Sequence, residues 1–271
     1  MWRHYEPLHA ITYFVPETMA AFDEVGLRGF WRGYFAGRAA PLGVTGPEPV
    51  LAAFYGFAPV MVRRAFPDLW QRTTPETAHA ARVRGATAAL RRLAPDAAYA
   101  EIAGLLERAA ESADLGGRVL AAANAALPRP EDDVERVWQA ANVLREHRGD
   151  GHVAVLVAND LAPCEALALR ASVDIPREHL QPFRGWTDEE WDEAVEGLRA
   201  RGWVGDDGRA TEAGIAAREE MEAATDAAAA RPWRALSDTE VARLLELLRP
   251  VADACLAEIP VQTPIGLLRA R

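Results

Sequence analysis

A mainly α-helical fold made of two successive copies of one unit is what the sequence predicts, and three features predict it. Apolar residues recur at three- and four-residue spacing along most of the chain, while the alternation of a half-buried strand is nearly absent. Proline and capping residues stand where helices should begin. Short segments of the first half also reappear, in the same order, in the second.

Helical patterning is expected over 6–25, 29–38, 47–65, 75–93, 96–113, 132–147, 151–160, 163–173, 187–201, 211–230 and 237–257. Pro75 and Pro163 fit a first helical turn, where the missing N–H costs nothing. The last helix has a clear apolar face of Val241, Leu244, Leu245, Leu248 and Val251. Ser237 is its natural N-cap, and Glu240 three residues on completes a capping box. The repeat begins at Gly29–Pro41, GFWRGYFAGRAAP, which parallels Gly151–Pro163, GHVAVLVANDLAP. Glu76–Arg82 then parallels Glu212–Arg218, Leu105-Leu106-Glu107 parallels Leu244-Leu245-Glu246, and Ala113-Asp114 parallels Ala252-Asp253. The Pro- and acid-rich stretch at 128–133 reads as the linker, leaving units at 1–127 and 134–271.

Half of the 271 residues are hydrophobic, enough for a substantial core. No apolar run is long enough for a membrane helix, and the first residues lack the apolar centre of an export signal. The two cysteines, Cys164 and Cys255, stand far apart without a CxxC pair, which argues against a disulfide framework or structural zinc. A cytoplasmic protein without membrane contact, a monomer or weak homodimer, is expected. All 30 basic residues are arginine, and the net charge is −10. Nucleic-acid binding draws its affinity from cations on phosphates, so such a chain would have to concentrate positive charge locally.

The run Leu198-Arg199-Ala200-Arg201-Gly202-Trp203-Val204, then Asp207-Gly208-Arg209, then Thr211-Glu212-Ala213-Gly214 resembles that of MarR-type regulators. In that family it covers the end of the recognition helix, the wing and the start of a long dimerisation helix. With the repeat, the resemblance implies two fused winged-helix units forming a pseudo-dimer within one chain, with short β-wings at most. Some actinobacterial helix-turn-helix proteins have this look. The working surface departs from the family. The second copy's recognition helix, Thr187–Glu196, carries six carboxylates and no base, and the wing Gly205–Arg209 is short. Its first-copy counterpart, Val50–Pro59, is apolar and broken by Gly56 and Pro59. A helix in the major groove needs donors and cations, so ordinary DNA binding is not expected. The arginines of 60–95 (Arg63, Arg64, Arg72, Arg82, Arg84, Arg91 and Arg92) form either a phosphate-binding patch or solvated faces that pair with the acidic second half.

Candidate site residues fall in three places. His9 and Tyr13 lie four apart and share a helical face, with Glu6 three residues before. They suit proton transfer, or ligation of a metal or haem iron, or simply a packed histidine beside a core aromatic. Trp31, Tyr34, Phe35 and Arg38 share another face, a wall for a flat ligand with a guanidinium for an anion, or ordinary packing. Gly29, Gly33 and Gly37 bare a neighbouring face to a helix or a ligand. His152 occupies the repeat position of Phe30 and would reach the same crevice from the second copy. The first expectation is therefore a protein, enzyme or carrier, that binds an aromatic or anionic small molecule between the halves. His9, Tyr13 and His152 would be the catalytic groups, and no metal set or cofactor is identified. The alternatives are a MarR-like regulator binding DNA, and a protein-interaction module using the acidic second half.

Overall fold

The computed structural model of the protein describes residues 1–260, so the last eleven residues of the second expected unit lie outside it. Its helices are α1 Trp2–Ala10, α2 Pro16–Glu24, α3 Phe30–Ala39, α4 Pro47–Phe54, α5 Pro59–Arg63, α6 Leu69–Arg72, α7 Pro75–Leu93, α8 Tyr99–Glu111 and α9 Val119–Ala125. Beyond the extended stretch at 128–132 follow α10 Asp133–Ala158, α11 Pro163–Ala171, α12 Asp188–Ala200, α13 Glu212–Ala229 and α14 Asp238–Glu258. Among the described residues the only β pairing is an isolated bridge, Val204 with Ala210, at the expected wing.

Local chemistry sets the boundaries. Thr74, Thr187, Thr211 and Ser237 cap α7, α12, α13 and α14 through their hydroxyls, with capping boxes at Thr187–Glu190 and Ser237–Glu240. Three expected spans need correction. Residues 6–25 form two helices around a 3-10 turn at Ile11–Tyr13, because Pro16 forces Val15 into extended backbone (φ −90°, ψ 143°). Residues 47–65 break likewise before Pro59, where Ala58 is extended and Tyr55 takes a positive φ of 52°. Conversely, 132–147 and 151–160 are one helix of 26 residues, because packing on α8, α9 and α13 overrides the low propensity of Gly149 and Gly151.

α10 is the spine. Its N-terminal half, around the fully buried Trp138, joins a core with α1, α7, α8 and α14. Its C-terminal part, through Leu156, enters another core with α11, α12 and α13. A third core is aromatic: Phe22, Phe35, Phe54, Phe57 and Phe66 gather from α2, α3, α4 and the segments beside α5. α8 packs on α10 and α14 on α1, so each half lays a late helix on the first helix of the other. The bare face of α3 receives a helix. A Cβ at Gly33 or Gly37 would meet the Phe22 ring of α2 at 2.6 Å.

Candidate functional site

A cavity of about 970 Å³ opens where α1, α3, α10, α11 and α13 converge. Its aromatic wall comes from α3 and the segment after it: Trp31, Tyr34, Phe54 and Phe57 meet edge-to-face or tilted, with Tyr34 and Phe57 centroids 5.6 Å apart. Across it α10 presents Arg145, Arg148, His152 and Leu156, and Tyr13 closes one end. Seven arginines line the cavity against three carboxylates, an excess of positive charge in a chain whose net charge is −10.

Most of this charge is held by ion pairs. Arg38 grips Glu146 with two parallel hydrogen bonds of 3.0 Å and donates to Tyr34 Oη at 3.2 Å. Arg145 bridges Glu146 (2.8 Å) and Glu6 (3.6 Å). Burial alone would raise the Glu146 pKa, but Arg145 and Arg38 outweigh it and keep the carboxylate ionised well below the usual range. Arg148 reaches Glu222 and Asp226 at 3.0 Å, Arg218 pairs with Asp174 at 2.6 Å, and Arg184 lies over the Phe57 ring at 4.4 Å. Burial would likewise raise the Tyr34 phenol, yet Arg38, Arg184 and Arg145 reverse the sign and leave it below its ordinary value.

Behind Tyr13 runs a chain of buried polar groups whose directions can be read from one end. Asn124 Nδ2 donates to the Leu120 carbonyl, so its Oδ1 faces Asn142 Nδ2 at 3.1 Å. Asn142 Oδ1 therefore accepts from His9 Nδ1 at 2.5 Å, which puts the lone pair on Nε2. Tyr13 donates to that nitrogen at 2.9 Å, and its oxygen accepts from Arg82 at 3.3 Å. Burial, with Arg145 and Arg82 nearby, holds His9 well below its ordinary pKa, and burial pushes Tyr13 up to about 12. The shared proton rests on the phenol.

Of the residues expected to meet a ligand, Tyr13, Trp31, Tyr34, Arg38 and His152 line this one cavity. His9 and Phe35 do not. His9 is fully buried behind Tyr13, because its two ring nitrogens are taken by Asn142 and Tyr13. Phe35 is fully buried under the aromatic wall, stacked on Phe54 at 6.0 Å, because its side of α3 faces the aromatic core. His152 donates from Nδ1 to Thr225 Oγ1 at 3.0 Å, since the Thr225 hydroxyl is committed to the Met221 carbonyl; its Nε2 keeps the lone pair. Burial, with Arg148 and Arg170, lowers its pKa, so the ring is a neutral base. Phe30, the residue expected to be its counterpart, lines the same cavity. Arg145, Arg148, Arg170, Arg184 and Arg218 were not expected there. Arg145, Arg148 and His152 do stand at i, i+3 and i+7, but the assumed break at Gly149–Gly151 split that face between two helices.

The other surfaces are plainer. In the 60–95 stretch, Arg63, Arg72 and Arg84 pair with Glu48, Asp68 and Glu24 of the first half, and Arg91 and Arg92 reach Asp132 and Glu258. Arg82 is buried. The six carboxylates of α12 are exposed, and α12 follows α11 after a long loop, 172–187, instead of a tight three- or four-residue turn. Both thiols are buried, which pushes them up to about 12 and makes them poor nucleophiles.

The sequence profile of a helix-turn-helix family matches residues 1–262. The chain belongs to this helix-turn-helix family. No curated protein and no solved structure matches it. The family match spans both halves of this helix-turn-helix protein and every element that lines the cavity. No single helix among the described residues is long and apolar enough to cross a membrane.

Proposed function

We propose that this helix-turn-helix protein binds a small molecule, flat or largely apolar and carrying an anionic group, in the cavity beneath α3 and α10. The observation that carries the reading is the pairing of an aromatic wall with seven arginines against three carboxylates, inside an acidic chain. Aromatic faces take a planar ligand, and guanidinium forks suit a carboxylate or sulfonate. Two fused MarR-like units would explain why the cavity exists at all. The ordered repeats support that architecture, as does the reciprocal packing of α8 on α10 and α14 on α1. Were the ligand to react there, the neutral His152 would serve as base and Tyr13 as hydrogen-bonding group, with His9 acting only through Tyr13.

The test uses 1-anilinonaphthalene-8-sulfonate, an aromatic anion with a flat naphthalene ring system. It should bind saturably at one site with enhanced fluorescence. Removing a fully desolvated ring costs about 1.5–3 kcal/mol, so Trp31→Ala should weaken binding roughly ten- to hundredfold. Arg148→Gln should weaken the sulfonate more than an uncharged analogue. Absence of saturable binding, or equal binding by both variants, would end this reading. The family match favours a second one, a regulator that grips DNA. Anisotropy with random duplex at about 0.1 M salt, roughly a 10 Å screening length, separates the two. Weak binding is expected, because the exposed carboxylates of α12 meet phosphate with repulsion. Tight binding with a steep salt slope would replace the ligand-carrier reading with the regulator.

A further inference from the structure

A second cavity, of about 200 Å³, lies on the other side of a partition formed by Tyr13, Tyr34 and Phe30, which line both spaces. Phe22, Leu27 and Met19 make its remaining walls mostly apolar, and Arg82 supplies its one basic group. Arg82 is 1% exposed, yet among the described residues no carboxylate stands within ion-pair distance of it. Its guanidinium donates to Tyr13 Oη at 3.3 Å and to the Gly37 carbonyl at 3.4 Å, and lies 5.1 Å from the Trp138 ring. The contrast with Arg38 is direct. Arg38, comparably buried, holds a bidentate pair with Glu146. A guanidinium offers five donors and stays charged, so two long bonds to neutral oxygens and the nearby rings leave the buried charge without an ion-pair partner. Tyr13 cannot act as one, because its proton is committed to His9.

We propose that the Arg82 cavity is a binding site for a small monocarboxylate with a short alkyl chain. The planar fork of Arg82 matches a carboxylate, and the apolar walls suit an alkyl tail. At about 30 Å³ per water-sized group the space admits roughly six or seven non-hydrogen atoms. Asp23, exposed on the rim, would repel a second negative group, which selects against dicarboxylates and phosphate.

Butyrate, titrated by calorimetry and by thermal unfolding with gluconate balancing the ionic strength, tests the assignment. One saturable site is expected. At a concentration a hundredfold above Kd the Tm should rise by about 5 °C or more. Succinate and phosphate should bind at least tenfold more weakly. Arg82→Gln should abolish the effect. Met19→Trp, which narrows the exposed mouth without touching the guanidinium, should weaken it at least tenfold and covers the case in which Arg82→Gln does not fold. Arg148→Gln, on the larger cavity, should leave butyrate binding within twofold of the parent. The proposal is overturned if butyrate shows no saturable binding, if succinate binds equally well, if Met19→Trp retains full affinity, or if the effect follows Arg148 instead.

Discussion

Burial raises the pKa of a phenol, and Tyr5, Tyr13, Tyr55 and Tyr99 all follow that rule, Tyr13 and Tyr99 reaching about 12. Tyr34 is the exception among the five tyrosines, because Arg38, Arg184 and Arg145 favour its phenolate by more than burial opposes it. Spectrophotometric titration at alkaline pH should therefore show one tyrosine ionising below the ordinary value near 10, with the others following later. Tyr34→Phe should remove that first step, and its survival in the variant would contradict the assignment. A ligand anion seated among the same guanidiniums should raise the step again. At this scale the sequence was partly legible. Trp31, Tyr34 and Arg38 could be placed on one face because α3 is unbroken. The spacing of His9 and Tyr13 also gave their contact, 2.9 Å in the structure, although a 3-10 turn replaces the end of the helix there. It could not tell that His9 faces inward, since that depends on Asn142 from a distant helix.

The fate of Gly149 and Gly151 shows why helix breaks were the least legible feature. Both would weaken an isolated helix, yet α10 runs through them for 26 residues, about 39 Å at the usual rise. Arg118 accounts for Gly151. Its guanidinium lies against α10, donating to the His147 carbonyl, and also reaches the Ala228 carbonyl of α13 at 3.0 Å. A Cβ at position 151 would collide with that guanidinium, whereas one at position 149 would sit 3.4 Å from Arg145. Alanine in place of a mid-helix glycine ordinarily stabilises by about 1 kcal/mol. Gly149→Ala should do so. Gly151→Ala should instead destabilise by roughly 1–2 kcal/mol, through the hydrogen bonds that Arg118 must give up. Denaturant midpoints of the two variants decide the matter, and a stabilised Gly151→Ala would show that Arg118 is not a fixed staple. The other missed breaks, before Pro16 and Pro59, carry a plain local signal: the residue before each proline is extended.

Across the whole molecule the halves are bound to each other by their own cores. α8 buries its apolar face largely on α10, and α14 buries its face on α1, so each half lacks a partner when alone. Residues 1–127 expressed alone should lack a cooperative thermal transition and expose hydrophobic surface, and mixing with 128–271 should restore one. A cooperatively folding fragment in sedimentation and circular dichroism experiments would contradict this mutual dependence. Helix content and most helix positions were readable because capping residues and apolar periodicity are local properties. The basic cavity was not, because its arginines come from distant segments and the net charge of −10 conceals them. The continuity of α10 bears also on how anything gets in. The same rigid rod carries Arg145 at one end of the cavity and Leu156 at the other, a separation of about 16 Å set by helical rise. That wall cannot bend to widen the cavity without breaking the helix. Traffic then falls to the rim, where Phe30 and Phe183 stand 42% and 43% exposed. Doors made of single side chains swing on picosecond-to-nanosecond timescales, far faster than domain opening. Residence time would then be set by the grip of the arginines inside, and not by the gate.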